Sequence, residues 1–345
     1  HVFSDSAQRE CWQEGFKIIA SAYCGEIPKF DYEPYENVVP KIVVSGMGWS
    51  GSGALFDYFN EFSEVVAIGG ESPYIEGHRA LLSIARSFKS KNESESLVEC
   101  FFYVLLGYAQ LKRSGDAKSF RFARRIHKGP KGRRYAKFAL SFARKAAHII
   151  SEADARAKRD KFRDLANFMT DSLAVGRSLK PGQIALLDNV IHIPNLQAVE
   201  FLDNIKVFCT FRDPRSNYVA LLREAGHFND PVQMFVTKRR NKFKRCHQLV
   251  DDYSEKYPFP NKKSVSKVLF ETFILSPEYR AAIARELGLN TETQDKFKYL
   301  KPWESVRNVL LHQEHSPSSD IDYIERELAP YCVQVKLEPL KVTKR

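Results

Sequence analysis

The sequence lacks the features that mark several classes of protein. No apolar run reaches the roughly 18 to 20 residues that a membrane-spanning helix needs. It contains no internal repeat and no low-complexity segment, and its six cysteines form no C-x-x-C pair and no spacing typical of a metal site. What remains is a chain of 345 residues with 43% hydrophobic content. That is enough for a globular protein with a sizeable core.

Cysteine usage also indicates the redox compartment. One cysteine, Cys209, lies inside an apolar run, where a buried thiol is the ordinary interpretation. We interpret all six as reduced thiols, which favours a reducing compartment. The expected location is therefore the cytoplasm. If an N-terminal anchor precedes His1, the Golgi lumen is the alternative.

Basic charge is concentrated in one segment of the chain. The net charge is +11, and 18 of the 53 Lys and Arg residues lie between Lys112 and Arg163, with only a few Asp and Glu among them. Such a patch favours a polyanionic partner: an acidic polysaccharide, nucleic acid or an anionic membrane surface. A solvated helical face is the structural alternative, because charge runs are common on exposed helices.

Alternating strand and helix patterns predict an α/β fold. A strand, a turn and a helix are predicted at 41–60, and further strands at 64–70, 183–188, 205–211 and 265–270. Helices are predicted at 7–23, 230–256, 276–288 and 320–332. We therefore expect a central, mainly parallel sheet of about five strands with helices on both faces.

Residues 76–180 interrupt this alternation. They show helical periodicity and few β-branched runs, which predicts a helical insertion. We expect it to lie within a single domain whose core spans 41–75 and 183–332. Gly129-Pro130 divides its basic stretch into two amphipathic helices.

A glycine-rich turn follows the first predicted strand. Gly46, Gly48 and Gly51 have the G-x-G-x-x-G spacing of a dinucleotide-binding turn. The segment Ser50–Gly53 opens a helix, so its amides and hydroxyls can cradle a phosphate-like anion. A P-loop ATPase or GTPase needs a lysine where Ser52 stands. A Rossmann site remains open because Glu71 follows the second strand, and a plain tight βα turn has the same local pattern.

A second polar cluster follows the strand at 205–211. Arg212, Asp213, Pro214 and Arg215 leave that strand at the carboxyl edge of the sheet, where ligands of α/β proteins bind. The planar guanidinium of Arg212 suits a phosphate. An Asp-Pro helix cap between two surface arginines is the structural alternative.

These motifs, together with "VLFETFILSPEYRAAIARELGL" (268–289) and "KPWESVRNVLLHQE" (301–314), resemble the PAPS-dependent sulfotransferases. PAPS is 3′-phosphoadenosine 5′-phosphosulfate. The resemblance covers about 41–75 and 183–332 and implies a P-loop NTPase-like sulfotransferase fold with PAPS as cofactor, 3′,5′-ADP as product and no metal. It implies these cofactor-binding residues: Trp49, Ser50, Gly51, Ser52, Gly53, Ala54, Arg212 (on the 3′-phosphate), Ser216, Ser305 and Asn308.

Two positions depart from that family's pattern. Trp49 stands where the family usually has the Lys or Arg that touches the transferred sulfuryl group, so a replacement cation is expected from Arg79, Lys301 or the basic insertion. Ala220 stands where the family usually has a serine, and Ser216 or Asn217 is expected to replace that contact.

The same resemblance suggests the catalytic base and the acceptor. Glu71, in a stretch similar to that of tyrosylprotein sulfotransferases, is the first candidate base; His78 is the second, and Asp188, at the end of a strand, is the third, together with His192. The basic insertion favours a carbohydrate acceptor, namely an acidic capsular or glycosaminoglycan-like polysaccharide. The same insertion also suits association of the protein with a membrane surface. One alternative acceptor is a tyrosine of a protein. Two alternative functions are nucleotide binding without transfer activity and binding of nucleic acid or membranes; no specific nucleic acid is expected.

Overall fold

The central sheet has five parallel strands, which confirms the predicted α/β class. The computed structural model describes residues 6–68, 75, 80–105, 129–175, 179–224 and 230–334. Its strands are β1 (Lys41–Gly46), β2 (Val65–Ile68), β3 (Ile184–Asp188), β4 (Ile205–Phe211) and β5 (Ser264–Leu269). They are all parallel and lie in the order β2-β3-β1-β4-β5.

The strand order creates a switch point between β1 and β4. The chain leaves β1 towards β2 on one side of the sheet and leaves β4 towards β5 on the other. The loops that follow β1 and β4 therefore diverge and leave a crevice at the carboxyl edge, where ligands of open α/β sheets bind. The glycine loop follows β1, and Arg212 follows β4.

Twelve α-helices belong to the described residues, together with short 3₁₀ and π segments. They are α1 (Ser6–Tyr23), α2 (Ser52–Phe59), α3 (Leu81–Ser90), α4 (Glu93–Glu99), α5 (Gly129–Ser151), α6 (Ala155–Thr170), α7 (Pro214–Glu224), α8 (Val232–Lys256), α9 (Phe270–Leu275), α10 (Pro277–Glu286), α11 (Pro302–Val309) and α12 (Ser318–Leu328). The predicted helix between β3 and β4 is a 3₁₀ helix with a non-helical residue at Asn195. None of the described helices is both long and apolar enough to span a bilayer.

The chain divides into two compact units. The helical unit comprises His1–Lys41, Ile68–Pro181 and Gln197–Ile205, and the sheet unit comprises Ile42–Ala67, Gly182–Leu196 and Lys206–Arg345. The helical unit contains the described part of the predicted insertion, which is helical in α3 to α6. It also contains α1, which the sequence alone did not assign to the insertion.

Aromatic contacts hold α1 in the helical unit. The ring of Phe101 lies 5.8 Å from Trp12, 5.6 Å from Phe16 and 6.4 Å from Phe142, which belongs to α5. Helix α5 begins at Gly129, the predicted break. The basic helix predicted ahead of that break falls on 106–128, outside the described residues.

Carboxylates neutralise many cations of the basic segment. Lys145 lies 2.6 Å from Asp164, and Lys158 lies 2.8 Å from Glu93. Six cations in the described part of the segment form such ion pairs: Arg144, Lys145, Lys158, Arg159, Lys161 and Arg163. These ion pairs neutralise positive charge within the helical unit, and that charge was the basis for predicting a polyanionic partner.

The sheet unit has its own apolar core. Ile42 and Val44 of β1 pack with Leu55 and Phe59 of α2, so the strand and the helix that flank the glycine loop are fixed against each other. Phe270, at the start of α9, belongs to the same core. The loop is therefore held between rigid elements, as a binding site requires.

Candidate functional site

The glycine loop adopts a conformation that needs its glycines. Gly48 and Gly51 have φ values of 76° and 82°, in the left-handed region. A Cβ at Gly51 would overlap with the ring of Phe270, and a Cβ at Gly46 would overlap with the hydroxyl of Ser50. Close packing therefore explains Gly46 and Gly51, beyond the requirement for a tight turn.

Three side chains hold three consecutive carbonyl groups of this loop. Arg239 donates to the carbonyl of Met47 at 3.4 Å, Asn217 to Gly48 at 3.0 Å, and Arg212 to Trp49 at 3.3 Å. These bonds fix the loop backbone from the side of α7 and α8. The loop therefore has a preformed shape, which lowers the entropy cost of binding a ligand.

Trp49 is the unusual residue of the loop. Its φ is 56°, in the left-handed region that a bulky side chain rarely adopts. Its side chain is 40% exposed instead of packed in the core. Strain of this kind is kept where the surroundings enforce it, often at a functional site.

Helix α2 begins directly after the loop, with Gly51 as its N-cap residue. A Cβ added at Gly53 would meet no atom within 4 Å, so this first turn borders open space. Free amides and the positive end of the helix dipole favour an anion there.

The R-D-P-R motif divides into a structural half and a half at the site. Asp213 accepts from the backbone N–H of Arg215 at 2.8 Å and so caps α7, as predicted. The guanidinium of Arg215 pairs with Asp213 at 2.6 Å and with Glu325 of α12 at 2.8 Å. Arg215 is 7% exposed, so it is a buried structural residue instead of a surface arginine.

Arg212 connects the loop to α11. It donates to the carbonyl groups of Trp49 and Asn308, and its guanidinium lies 5.1 Å from the ring centroid of Phe270. Glu271 accepts from the backbone N–H of Asp213 at 2.9 Å and so fixes the chain just beyond Arg212. Burial raises the pKa of Glu271 to about 7.

A pocket of about 380 Å³ lies at this edge of the sheet. Its lining is Trp49, Gly51, Gly53, Ala54, Asp57, Arg212, Ala220, Phe270, Tyr299, Leu300, Lys301, Glu304, Ser305, Asn308 and Leu311. The structure thus brings together seven of the ten predicted cofactor residues: Trp49, Gly51, Gly53, Ala54, Arg212, Ser305 and Asn308. Lys301, predicted as a replacement cation, also lines the pocket, 3.4 Å from Glu304.

The three other predicted cofactor residues do not line it. Ser50 is buried and accepts from the backbone N–H of Met47 at 3.2 Å, and Ser52 forms the first turn of α2 beside Gly46. Ser216 is fully buried; its hydroxyl donates to the carbonyl of Val309 at 3.0 Å. Ser216 therefore does not supply the hydroxyl that Ala220 lacks.

The predicted bases have different outcomes. Glu71 and His78, like Arg79, lie outside the described residues. Asp188 ends β3, and its carboxylate accepts from the amide of Asn189 at 3.0 Å; Asn189 in turn accepts from the N–H of Gly46. Asp188 therefore lies next to the end of β1.

Sequence reasoning missed several residues of the pocket. Asp57 lines the pocket, although no motif indicated it. Burial, followed by repulsion from Glu61 and Asp188, raises the pKa of its carboxyl group. Tyr299 is 44% exposed, an aromatic surface that no motif had indicated. Phe270 stood within a quoted motif, but its position between Gly51 and Arg212 depends on the folded chain.

No protein-family model matches the chain, and no curated protein is significantly similar to it.

Proposed function

We propose that the protein is a PAPS-dependent sulfotransferase that acts on a hydroxyl group of a carbohydrate. One observation carries the proposal: the glycine loop after β1 and Arg212 after β4 line the same pocket, at the switch point of the sheet, with Ser305 and Asn308. The resemblance assigns the glycine loop to the 5′-phosphosulfate, Arg212 to the 3′-phosphate, and Ser305 and Asn308 to the segment that closes over the nucleotide. Their meeting in one pocket does not follow from their spacing along the chain.

The residues of the pocket fit such a nucleotide. A volume of about 380 Å³ lies within the range of ligand pockets, roughly 300 to 1,000 Å³. The open first turn of α2 would hold the phosphate next to the transferred group, and Arg212 would hold the 3′-phosphate. Lys301 adds a cation, and Trp49 and Tyr299 offer exposed aromatic faces to a base or a sugar ring.

Bound PAPS supplies an activated sulfuryl group, which passes to the attacking oxygen of the acceptor as its bond to the 5′-phosphate breaks. The chain's task is to align the acceptor and to neutralise negative charge, as in phosphoryl transfer. A carboxylate would take the hydroxyl proton, which contributes about 10²- to 10⁴-fold. Glu71 remains the first candidate; among the described candidates, Asp57 lines the pocket and Asp188 ends β3, which neighbours β1 in the sheet.

A carbohydrate acceptor is favoured by two properties of the chain. The net charge is +11, which suits an acidic polysaccharide, capsular or glycosaminoglycan-like. Trp49 and Tyr299 also expose aromatic surface beside the site. Transfer to a protein tyrosine is the alternative that follows from the resemblance around Glu71.

The decisive experiment is transfer of ³⁵S from labelled PAPS to a panel of acidic polysaccharides, neutral polysaccharides and tyrosine peptides. Label in a polysaccharide supports the proposal, and Glu71→Gln is expected to lower that transfer without weakening 3′,5′-ADP binding. Label only in tyrosine peptides corrects the acceptor. Binding of 3′,5′-ADP without any transfer identifies a nucleotide-binding protein, and no nucleotide binding overturns the proposal.

A further inference from the structure

Arg239 is a cation on the core-facing side of α8. The buried residues of this helix include Phe235 and Phe243, four residues before and after Arg239, so all three share one face. Its guanidinium lies 5.8 Å from the ring centroid of Phe235, and burial lowers the pKa of Arg239. A position that helical periodicity reserves for an apolar side chain thus holds a charge.

This guanidinium has no carboxylate partner among the described residues. Its neighbours in sequence are paired, Lys238 with Asp230 at 2.8 Å and Arg240 with Glu327. Among the described residues, Arg239 donates to the carbonyl of Met47 at 3.4 Å, and that long bond is weak compensation for lost hydration. The carboxylate of Asp230 attracts Arg239 but is already paired with Lys238, so an anionic ligand would lower the remaining cost of this partly buried charge.

The neighbourhood of Arg239 strengthens this expectation. Arg239 and Arg212 hold carbonyl groups of the same loop, at Met47 and Trp49, so two guanidinium groups flank the segment that precedes α2. Lys242 lies three residues after Arg239 on α8, on the same side of the helix, and burial followed by repulsion from Arg239 lowers the pKa of Lys242. The potential beside the loop is therefore more positive than the pocket lining alone suggests.

We propose that Arg239 is the cation that contacts the transferred sulfuryl group, so that it selects PAPS over 3′,5′-ADP. This inference rests on the proposed function. Arg212 recognises the part of the ligand common to both nucleotides, whereas Arg239 recognises the group that only PAPS carries. Because Trp49 leaves the loop without a cation of its own, Arg239 of α8 supplies it, instead of Lys301 or the basic segment.

Equilibrium titration of the full chain with PAPS and with 3′,5′-ADP, without acceptor, tests the inference. Arg239→Gln is expected to weaken PAPS binding about 10- to 100-fold, the range for one charge-assisted contact, and to change 3′,5′-ADP binding less than about 3-fold. Arg239→Lys should keep part of the preference for PAPS. The matched control, Arg240→Gln, removes the adjacent ion-paired arginine and should change neither affinity.

The outcomes separate this inference from the function on which it rests. If the unmodified protein binds neither nucleotide, the proposed function fails. If it binds both, and Arg239→Gln lowers both affinities equally or leaves both unchanged, the inference about Arg239 is wrong and the proposed function stands. Should Arg239→Gln not fold, Arg239→Met decides: this neutral variant is expected to lose the preference for PAPS that Arg239→Lys partly keeps, and an unchanged ratio of the two affinities in Arg239→Met would overturn the inference.

Discussion

In the helical unit the ammonium of Lys41 lies 2.7 Å from the carboxylate of Asp171, and both side chains are almost completely buried. In the sheet unit the partly buried Arg239 bonds a backbone carbonyl and pairs with no carboxylate of the described residues. Both are costly charges in a protein interior. A carboxylate of the fold neutralises Lys41, whereas we propose that a ligand completes the neutralisation of Arg239.

Neutralisation by the fold extends to the basic segment, which has the strongest charge in the sequence. Six cations in the described part of that segment pair with carboxylates in the helical unit. The amount of charge in a segment is therefore a weaker guide to anion binding than the partners of each cation.

The largest expected effect is on the stability of the helical unit. Asp171→Leu leaves the ammonium of Lys41 buried without its partner, and it also removes an acceptor for the N–H of Val39. We expect a loss of about 3 to 5 kcal/mol in the free energy of unfolding, measured by urea denaturation. The double variant Lys41→Met/Asp171→Leu should recover most of that loss. A single variant as stable as the unmodified protein would contradict the assignment of Lys41 and Asp171 as a structural pair.

A second prediction concerns the pH dependence of the sheet unit. Burial raises the pKa of Glu271 from 4.5 to about 7, so its carboxyl group binds a proton more tightly in the folded than in the unfolded chain. Stability from this group is complete below about pH 4.5 and is lost as the pH rises towards 7. The full loss is on the order of 3 kcal/mol.

Glu271→Gln isolates this effect. The variant keeps an oxygen that can accept from the N–H of Asp213, and it cannot ionise. We expect it to match the unmodified protein near pH 4.5 and to be the more stable of the two at pH 8, by urea denaturation. Glu286→Gln, an exposed change on α10, is the control. A stability difference that does not vary with pH would refute the role of burial at Glu271.

Local patterns predicted much of the fold. Strand β4 spans the predicted 205–211 because a run that is apolar except for Lys206 and Thr210 ends at the charged Arg212. Helix α10 begins after Ser276, whose side chain accepts from the N–H of Tyr279, as its capping pattern indicates. These signals act over a few residues, so the sequence alone contains them.

Long-range placement was beyond such reasoning. Ser216 was a reasonable substitute at one helical turn from Ala220, but its hydroxyl points to Val309, far away in the sequence. Tyr299 and Asp57 became site residues only once the sheet brought α2 and the segment before α11 together. Arg239 is an intermediate case, because an arginine in the apolar stripe of α8 is visible in the sequence as an exception to the pattern.

Binding of the 3′-phosphate by Arg212 is the central feature of the proposed nucleotide site. Calorimetric titration with 3′,5′-ADP and with 5′-AMP, which lacks that phosphate, tests it directly. We expect the unmodified protein to bind 3′,5′-ADP about 10- to 100-fold more tightly than 5′-AMP, and Arg212→Ala to lose that preference. Arg223→Ala, an exposed change on α7, the helix that follows Arg212, should retain it. Equal affinities in the unmodified protein, or a preference that survives in Arg212→Ala, would contradict the proposed nucleotide site.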